Sequence, residues 1–356
     1  MTILLLVLLS LLLSGCTGAL PGAIAYQRVE DNNSQIYVMD PAGEVRTPVS
    51  DEVGWYFMPS WSNGGEKIAF YYFNPDTQMT SVYMVDVTEA EFTQVLLTDM
   101  ATYDIEFGTL KWSPDDGTVL YYTIDSLGIA DIYKIDIATK TVSDAFEESI
   151  FDDYGPDWSP DGTQFVFASN RPDKDAPLYN LFISDASGEN LTQLTDNNAD
   201  GWMDTLPAWS PDGDLIAFWR YNTEEEQDPG DTPAGIWTYD VQSGEESLLY
   251  EGEITSSEHP PVWSPNGRYL AFLEDLDGQH TLRVLDVKSD ALVEISLVDG
   301  DKRAISWSPD SKALVFSNFT ESGPAMYILE LKNGELIEVL EPESTVLIGD
   351  PHWGGR

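Results

Sequence analysis

The sequence predicts an all-β fold: a β-propeller of seven four-stranded blades in which the two termini share a sheet, with six blades as the alternative. Three observations point there. A stretch opening Trp-Ser-Pro-Asp-Gly recurs along the 356-residue chain, an apolar run ending in an acid follows each copy, and the marker tryptophans lie 44 to 54 residues apart. Four short strands at that period are the signature of a propeller blade. One such sheet cannot bury both faces alone, so blades must stack around an axis.

The clearest copy runs Trp209-Ser210-Pro211-Asp212-Gly213 and on through Leu215 to Phe218. Others start at Trp61, Trp112, Trp158, Trp263 and Trp307, and a truncated one at Trp353. Pro presets φ for the second position of a turn, Asp suits the third, and Gly accepts the positive φ with which the chain leaves. The run behind each turn is short and rich in strand formers. The next strand ends in Asp40, Asp86, Asp136, Asp185, Asp240, Asp286 or Glu330, and a polar turn leads to a fourth segment such as Leu191 to Thr195.

Residues 24–49 hold the second to fourth strands of a blade with no tryptophan strand ahead of them; the missing first strand is expected around His352 and Trp353. Six whole units and this composite make seven, and the shared sheet removes two strand edges. The expected division is residues 1–15 as a signal peptide, 16–22 as a tether and 23–356 as a single propeller domain.

Residues 2–14 are nearly all apolar, too short for a membrane span, and lead into Ser14-Gly15-Cys16, where small residues precede the only cysteine. This resembles a bacterial lipoprotein signal, with Cys16 as the lipidated first residue of the mature chain; an ordinary signal peptide is the alternative. With Cys16 so committed, no internal disulfide is expected. The expected address is exported and membrane-anchored, in the periplasm or at the cell surface. The chain carries 17 basic against 62 acidic residues, a formal charge of −45. Such a surface repels nucleic acid, and anionic lipid beyond the anchor. It either solvates the protein or draws basic partners.

The link between blades and the loop between second and third strands open on one face, beside the channel; the Ser-Pro-Asp-Gly turns lie on the other. The candidate ligand-binding residues on the first face are Trp55, Tyr103, Tyr154, Trp202, Asp204 and His259. Such rings can instead cap the channel and pack between blades. The insertion from Arg220 to Gly235 is read as a loop on that face. Asp196, Asp200 and Asp204 open like a calcium loop, but Pro207 stands where a bidentate Glu is needed, so an inter-blade loop is expected. Asp275 to Gly278 reads as a hairpin turn. There is no Gly-x-Ser-x-Gly elbow, and three histidines (His259, His280 and His352) are too few for a His-rich metal centre. No catalytic set, metal or other cofactor is expected.

The repeat, Trp-Ser-Pro-Asp-Gly followed by Ile-Ala-Phe and then by a run such as Ile36-Tyr37-Val38-Met39-Asp40, resembles that of TolB and of the N-terminal propeller of dipeptidyl-peptidase-IV-type proteases. The resemblance covers residues 21–356. Departures are local: Asn63-Gly64-Gly65 in the first copy, an extra acid in Asp115-Asp116, Asn266 for Asp, and Ser311 for Gly. It implies an envelope propeller of the protein-binding kind, without the extra α/β domain of TolB or the hydrolase domain of the proteases. The expectation is therefore a monomeric, non-catalytic scaffold for an envelope protein or peptide. The alternative is a polysaccharide-processing lyase or hydrolase using channel carboxylates with His259 or His352.

Overall fold

The computed structural model describes residues 21–354 apart from 32, 45, 51–53, 90–91, 101–105, 126–127, 147–148, 172–177, 197–200, 223–233, 253–258, 277 and 342–345. Among the described residues every regular element is a β-strand. Trp55–Trp61, Lys67–Asn74, Met79–Asp86 and Val95–Met100 pair in sequence as a first antiparallel meander. Five more meanders follow, and their tryptophan strands are Lys111–Trp112, Asp153–Trp158, Trp202–Trp209, Val262–Trp263 and Asp301–Trp307. The remaining strands form a terminal sheet. Val346–Gly354 pairs antiparallel with Ala23–Glu30, with Ile24 opposite Trp353, and Asn33–Met39 and Arg46–Pro48 complete it. One parallel bridge, Ser34 to Trp55, joins this sheet to the first meander.

The Ser-Pro-Asp-Gly segments are the tight turns that their chemistry predicts. Gly162, Gly213 and Gly267 donate their N–H to the carbonyls of Ser159, Ser210 and Ser264 at 2.8–3.0 Å. Ser210 Oγ donates to Asp212 at 2.6 Å and accepts the N–H of Leu215, the first residue of the next strand, at 2.9 Å. In six of the seven sheets the acid at the end of the third strand accepts a main-chain N–H of the next turn, on the same face. Asp136 accepts the Thr139 N–H and Asp240 the Ser243 N–H, both at 2.7 Å. These hydrogen bonds favour the charged form and hold both carboxyls below their usual range. The Ser187 hydroxyl, then Asn190, pulls Asp185 down to about 2.

Hydrophobic clusters join neighbouring sheets. Ala69 and Val82 of the first meander meet Trp112 and Ile135 of the second, and the pattern repeats through the third, fourth, fifth and sixth. Ala313, Met326 and Leu340 of the sixth pack on Ile24, Tyr26 and Trp353 of the terminal sheet. Ala25 and Ile36 of that sheet pack in turn on Trp61 and Phe70 of the first. The marker tryptophans latch these contacts. Trp112, Trp158, Trp263 and Trp307 donate their indole N–H to the carbonyls of Ser60, Lys111, Ala208 and Val262 at 2.9–3.2 Å. Each acceptor directly precedes the marker tryptophan of the sheet before.

The tryptophan strands are bulged. Met58, Gly155, Leu206, Ala304 and Asp350, each three residues before a marker tryptophan, have φ of 47–62°, and register shifts beside them. Four of the five are not glycine, so each holds about 1 kcal/mol or more of backbone strain. This corrects the expectation of loops for the segments that hold Trp55, Tyr154 and Trp202. Trp55, Tyr154 and Trp202 lie in strands, because the bulge breaks the two-residue alternation that would have announced them. Arg220 is likewise a strand residue, in Leu215–Asn222; positions 223–233 of the insertion lie outside the described residues. The Asp275 hairpin is as read: Gly278 N–H donates to Asp275 Oδ1 at 2.8 Å.

Candidate functional site

Residues of five meanders, among them the bulge positions Met58, Gly155 and Leu206, line one cavity. It has a volume of about 100 Å³ and is lined by Met58, Thr109, Lys111, Gly155, Leu206 and His259, with Tyr122 and the rings of Pro156, Pro207 and Pro260. Lys111, His259 and Tyr122 are its titratable lining. Lys111 Nζ lies 3.1 Å from Asp157 Oδ1, and Asp157 Oδ2 accepts the Trp209 N–H at 2.8 Å.

His352 occupies the offset from Trp353 that Lys111 has from Trp112. Its Nδ1 accepts the Trp61 N–H at 3.2 Å, which requires an unprotonated nitrogen. Burial, aided by the Lys111 charge, lowers its pKa to about 4, although part of its surface remains accessible. Asp350 accepts the Met58 N–H at 3.4 Å, and burial raises its pKa. These groups tie adjacent sheets together.

The residues expected at this site part company. Trp55 opens its strand with 38% of its surface exposed, at the end away from the Ser-Pro-Asp-Gly turn. His259 lines the cavity, its ring 5.9 Å from that of His280 in an edge-on arrangement, and its carbonyl accepts the Trp219 indole N–H at 2.9 Å. Tyr154 packs between the rings of Tyr122 and Tyr179, and burial drives its pKa well up. Trp202 is buried.

Asp204 is fully buried in a two-pronged pair with Arg220, at 2.6 and 2.8 Å. Arg220 also reaches Glu246 at 2.7 Å and lies over the Trp237 ring, 4.6 Å from its centre. Trp202 and Asp204 are thus buried and Tyr154 half-buried, packed among neighbouring side chains; a carboxylate taken from water needs such a partner. Asp204, the ninth position of the calcium-like segment, is thus committed, and positions 197–200 of that segment lie outside the described residues, as do Tyr103 and Cys16.

Lys111, Asp350 and His280 were not singled out from the sequence. The first two could have been found by comparing the repeats position by position ahead of each tryptophan. His280 could not: its N–H and Nδ1 meet Asp301 Oδ1 of the next meander at 2.8 and 2.9 Å. Its Nε2 is buried and has no hydrogen-bond partner among the described residues. Among those residues no group of three His, Cys, Asp or Glu side chains converges as for a metal ion.

No family model matches the chain. An uncharacterised protein of Agrobacterium fabrum is 28% identical over 165 residues, 46% of this chain and 53% of that protein. Dipeptidyl peptidase 4 of Felis catus is 27% identical over 204 residues, 53% of this chain and 25% of that one. The Tol-Pal system protein TolB of Francisella tularensis is 24% identical over 201 residues, 56% of this chain and 43% of its own length. The chain thus spans about half or less of these relatives.

Among solved structures, TolB from Acinetobacter baumannii superposes with a TM-score of 0.55 at 18% identity, over 96% of this chain and 69% of that one. The oligogalacturonate lyase of Vibrio parahaemolyticus does so at 0.64 and 16%, over 86% of each chain. These likenesses show the fold, a β-propeller. The repeat is shared with TolB-like and dipeptidyl-peptidase-like propellers.

Proposed function

We propose that the chain is an exported β-propeller, lipid-anchored through Cys16, that binds an envelope protein or peptide at the central cavity without catalysing a reaction on it. One observation carries the reading: the cavity sits where five meanders converge, and the nearby carboxylates and His352 are spent on main-chain hydrogen bonds. Asp157, Asp350 and His352 each accept a main-chain N–H from a neighbouring sheet. What faces the cavity is mainly proline rings, aliphatic side chains, Lys111 and His259. The formal charge of −45 favours a basic partner. The reading includes a ring of seven blades, six meanders and the terminal sheet, supported by the strand pairing at the termini and by the clusters on both sides of it. Six lobes in electron-microscopy class averages would overturn that count.

The test is affinity capture from native envelope with residues 17–356, beside Lys111→Ala and His259→Ala. A protein held by the native chain and lost from both variants supports the reading. Equal retention by all three, or none by any, overturns it.

The second reading is a glycan-processing lyase or hydrolase. It draws on the likeness to the lyase structure and on the His259–His280 pair with its unpartnered Nε2. Turnover of an oligosaccharide panel that is lost in both His259→Ala and His280→Ala would put it first.

A further inference from the structure

We infer that, in the anchored protein, the Ser-Pro-Asp-Gly turn face lies toward the lipid surface and the loop face, with Trp55, points away from it. The inference rests on the Cys16 anchor proposed above and adds the side of the molecule from which the tether leaves.

Two contacts pin the start of the described chain to the turn face. Trp353 donates its indole N–H to the Pro21 carbonyl at 2.9 Å. Gly22 is wedged beside it at φ 91°: a Cβ there would lie 2.6 Å from the Gly354 carbonyl oxygen and 3.0 Å from the ring of Pro309. Pro309 belongs to the turn that Ser311 N–H closes onto the Ser308 carbonyl at 2.9 Å. From Cys16 to Pro21 is five residues, which reach at most ~18 Å fully extended. The strands between the two faces are up to nine residues long, and one of eight such as Ala313–Thr320 spans about 26 Å. The tether is too short to carry Cys16 round to the loop face. The turns carry acids such as Asp161, Asp212, Asp240 and Asp286, so anionic headgroups repel this face and the anchor alone holds it near lipid.

The test couples Cys16 of residues 16–356 to a maleimide-headgroup lipid in phosphatidylcholine vesicles that carry a headgroup quencher. A fluorophore is attached through an azide-bearing side chain at position 312 or at position 321. Lys312 and Glu321 are exposed and flank the two ends of Ala313–Thr320. At least twofold stronger quenching at 312 than at 321 is expected. Equal quenching, or stronger quenching at 321, overturns the orientation. Because the coupling is chemical, this result does not depend on natural lipidation, which is read separately as palmitate labelling lost in Cys16→Ser. Absence of labelling in the native chain removes the anchor on which the proposal rests.

Discussion

Asn63 and Asp116 lie in turns of consecutive sheets, and each completes the other. Asn63 stands where other copies have proline, so it brings a main-chain N–H that those turns lack. Asp116 stands where they have glycine, at φ 57°, and its two oxygens accept the N–H groups of Asn63 and Gly64 at 2.7 and 2.8 Å. Asn63 Nδ2 returns a hydrogen bond to the Ser113 carbonyl at 2.9 Å. Two departures from the repeat are one inter-sheet contact. Ser311, the other residue at the glycine position, likewise accepts the Asn266 N–H of the sheet before, at 3.0 Å.

Asp116→Gly is therefore expected to destabilise the native chain by about 1 kcal/mol, since lost charge-assisted hydrogen bonds outweigh relief of the left-handed conformation. In an Asn63→Pro background the same change should be neutral or stabilising. Urea denaturation of all four members of the cycle reads the coupling, expected at ~1–2 kcal/mol.

Ala304→Gly tests the strain at the bulges. Ala304 sits at φ 47° with a side chain of one carbon, so little packing is lost. A gain of ~0.5–1 kcal/mol is expected in urea, and the same change at Leu206, whose side chain is buried, should cost stability instead.

Arg220→Ala removes the guanidinium that pairs with the fully buried Asp204 and lies over the half-buried Trp237 ring. A loss of about 3–5 kcal/mol is expected, far above that of an exposed pair such as Lys312 with Asp310. Thermal unfolding of Arg220→Ala and Lys312→Ala side by side measures the contrast.

His352 and Asp131 give stability opposite pH dependences. The folded pKa of His352 is lowered to about 4 by burial, then by Lys111, so its contribution is full above the ordinary histidine value and is lost as pH falls through about 4. Asp131 is raised to about 6 by burial, then by Asp153, Asp144, Asp125 and Asp152, so ionising it costs stability as pH climbs from the ordinary carboxyl range through about 6. Asp131→Asn should raise Tm at pH 7.5 and barely change it at pH 4. His352→Gln should flatten the fall in Tm between pH 7 and pH 4.5. Calorimetry across that range checks both.

The sequence by itself determined the repeat, the turn chemistry, the acids that cap the third strands and the pairing of the two ends. The first three follow from local preferences: proline and glycine at fixed turn positions, short apolar strands, and a carboxylate within reach of its own next N–H groups; the pairing of the ends follows from the strand that the first unit lacks. The tertiary structure decided what lines the cavity. A bulge at Leu206 or Met58 reverses which side chains point inward, and no periodicity announces it. Asp204 was legible as an acid but not as a buried one, because its partner Arg220 comes from the neighbouring strand. His352, a channel residue only in the alternative reading, is a latch, since its acceptor nitrogen meets a Trp61 N–H 291 residues away in sequence. Contacts between sheets depend on how strands stack in space, and the packing of each sheet on the next, with four tryptophans donating across it, settles that.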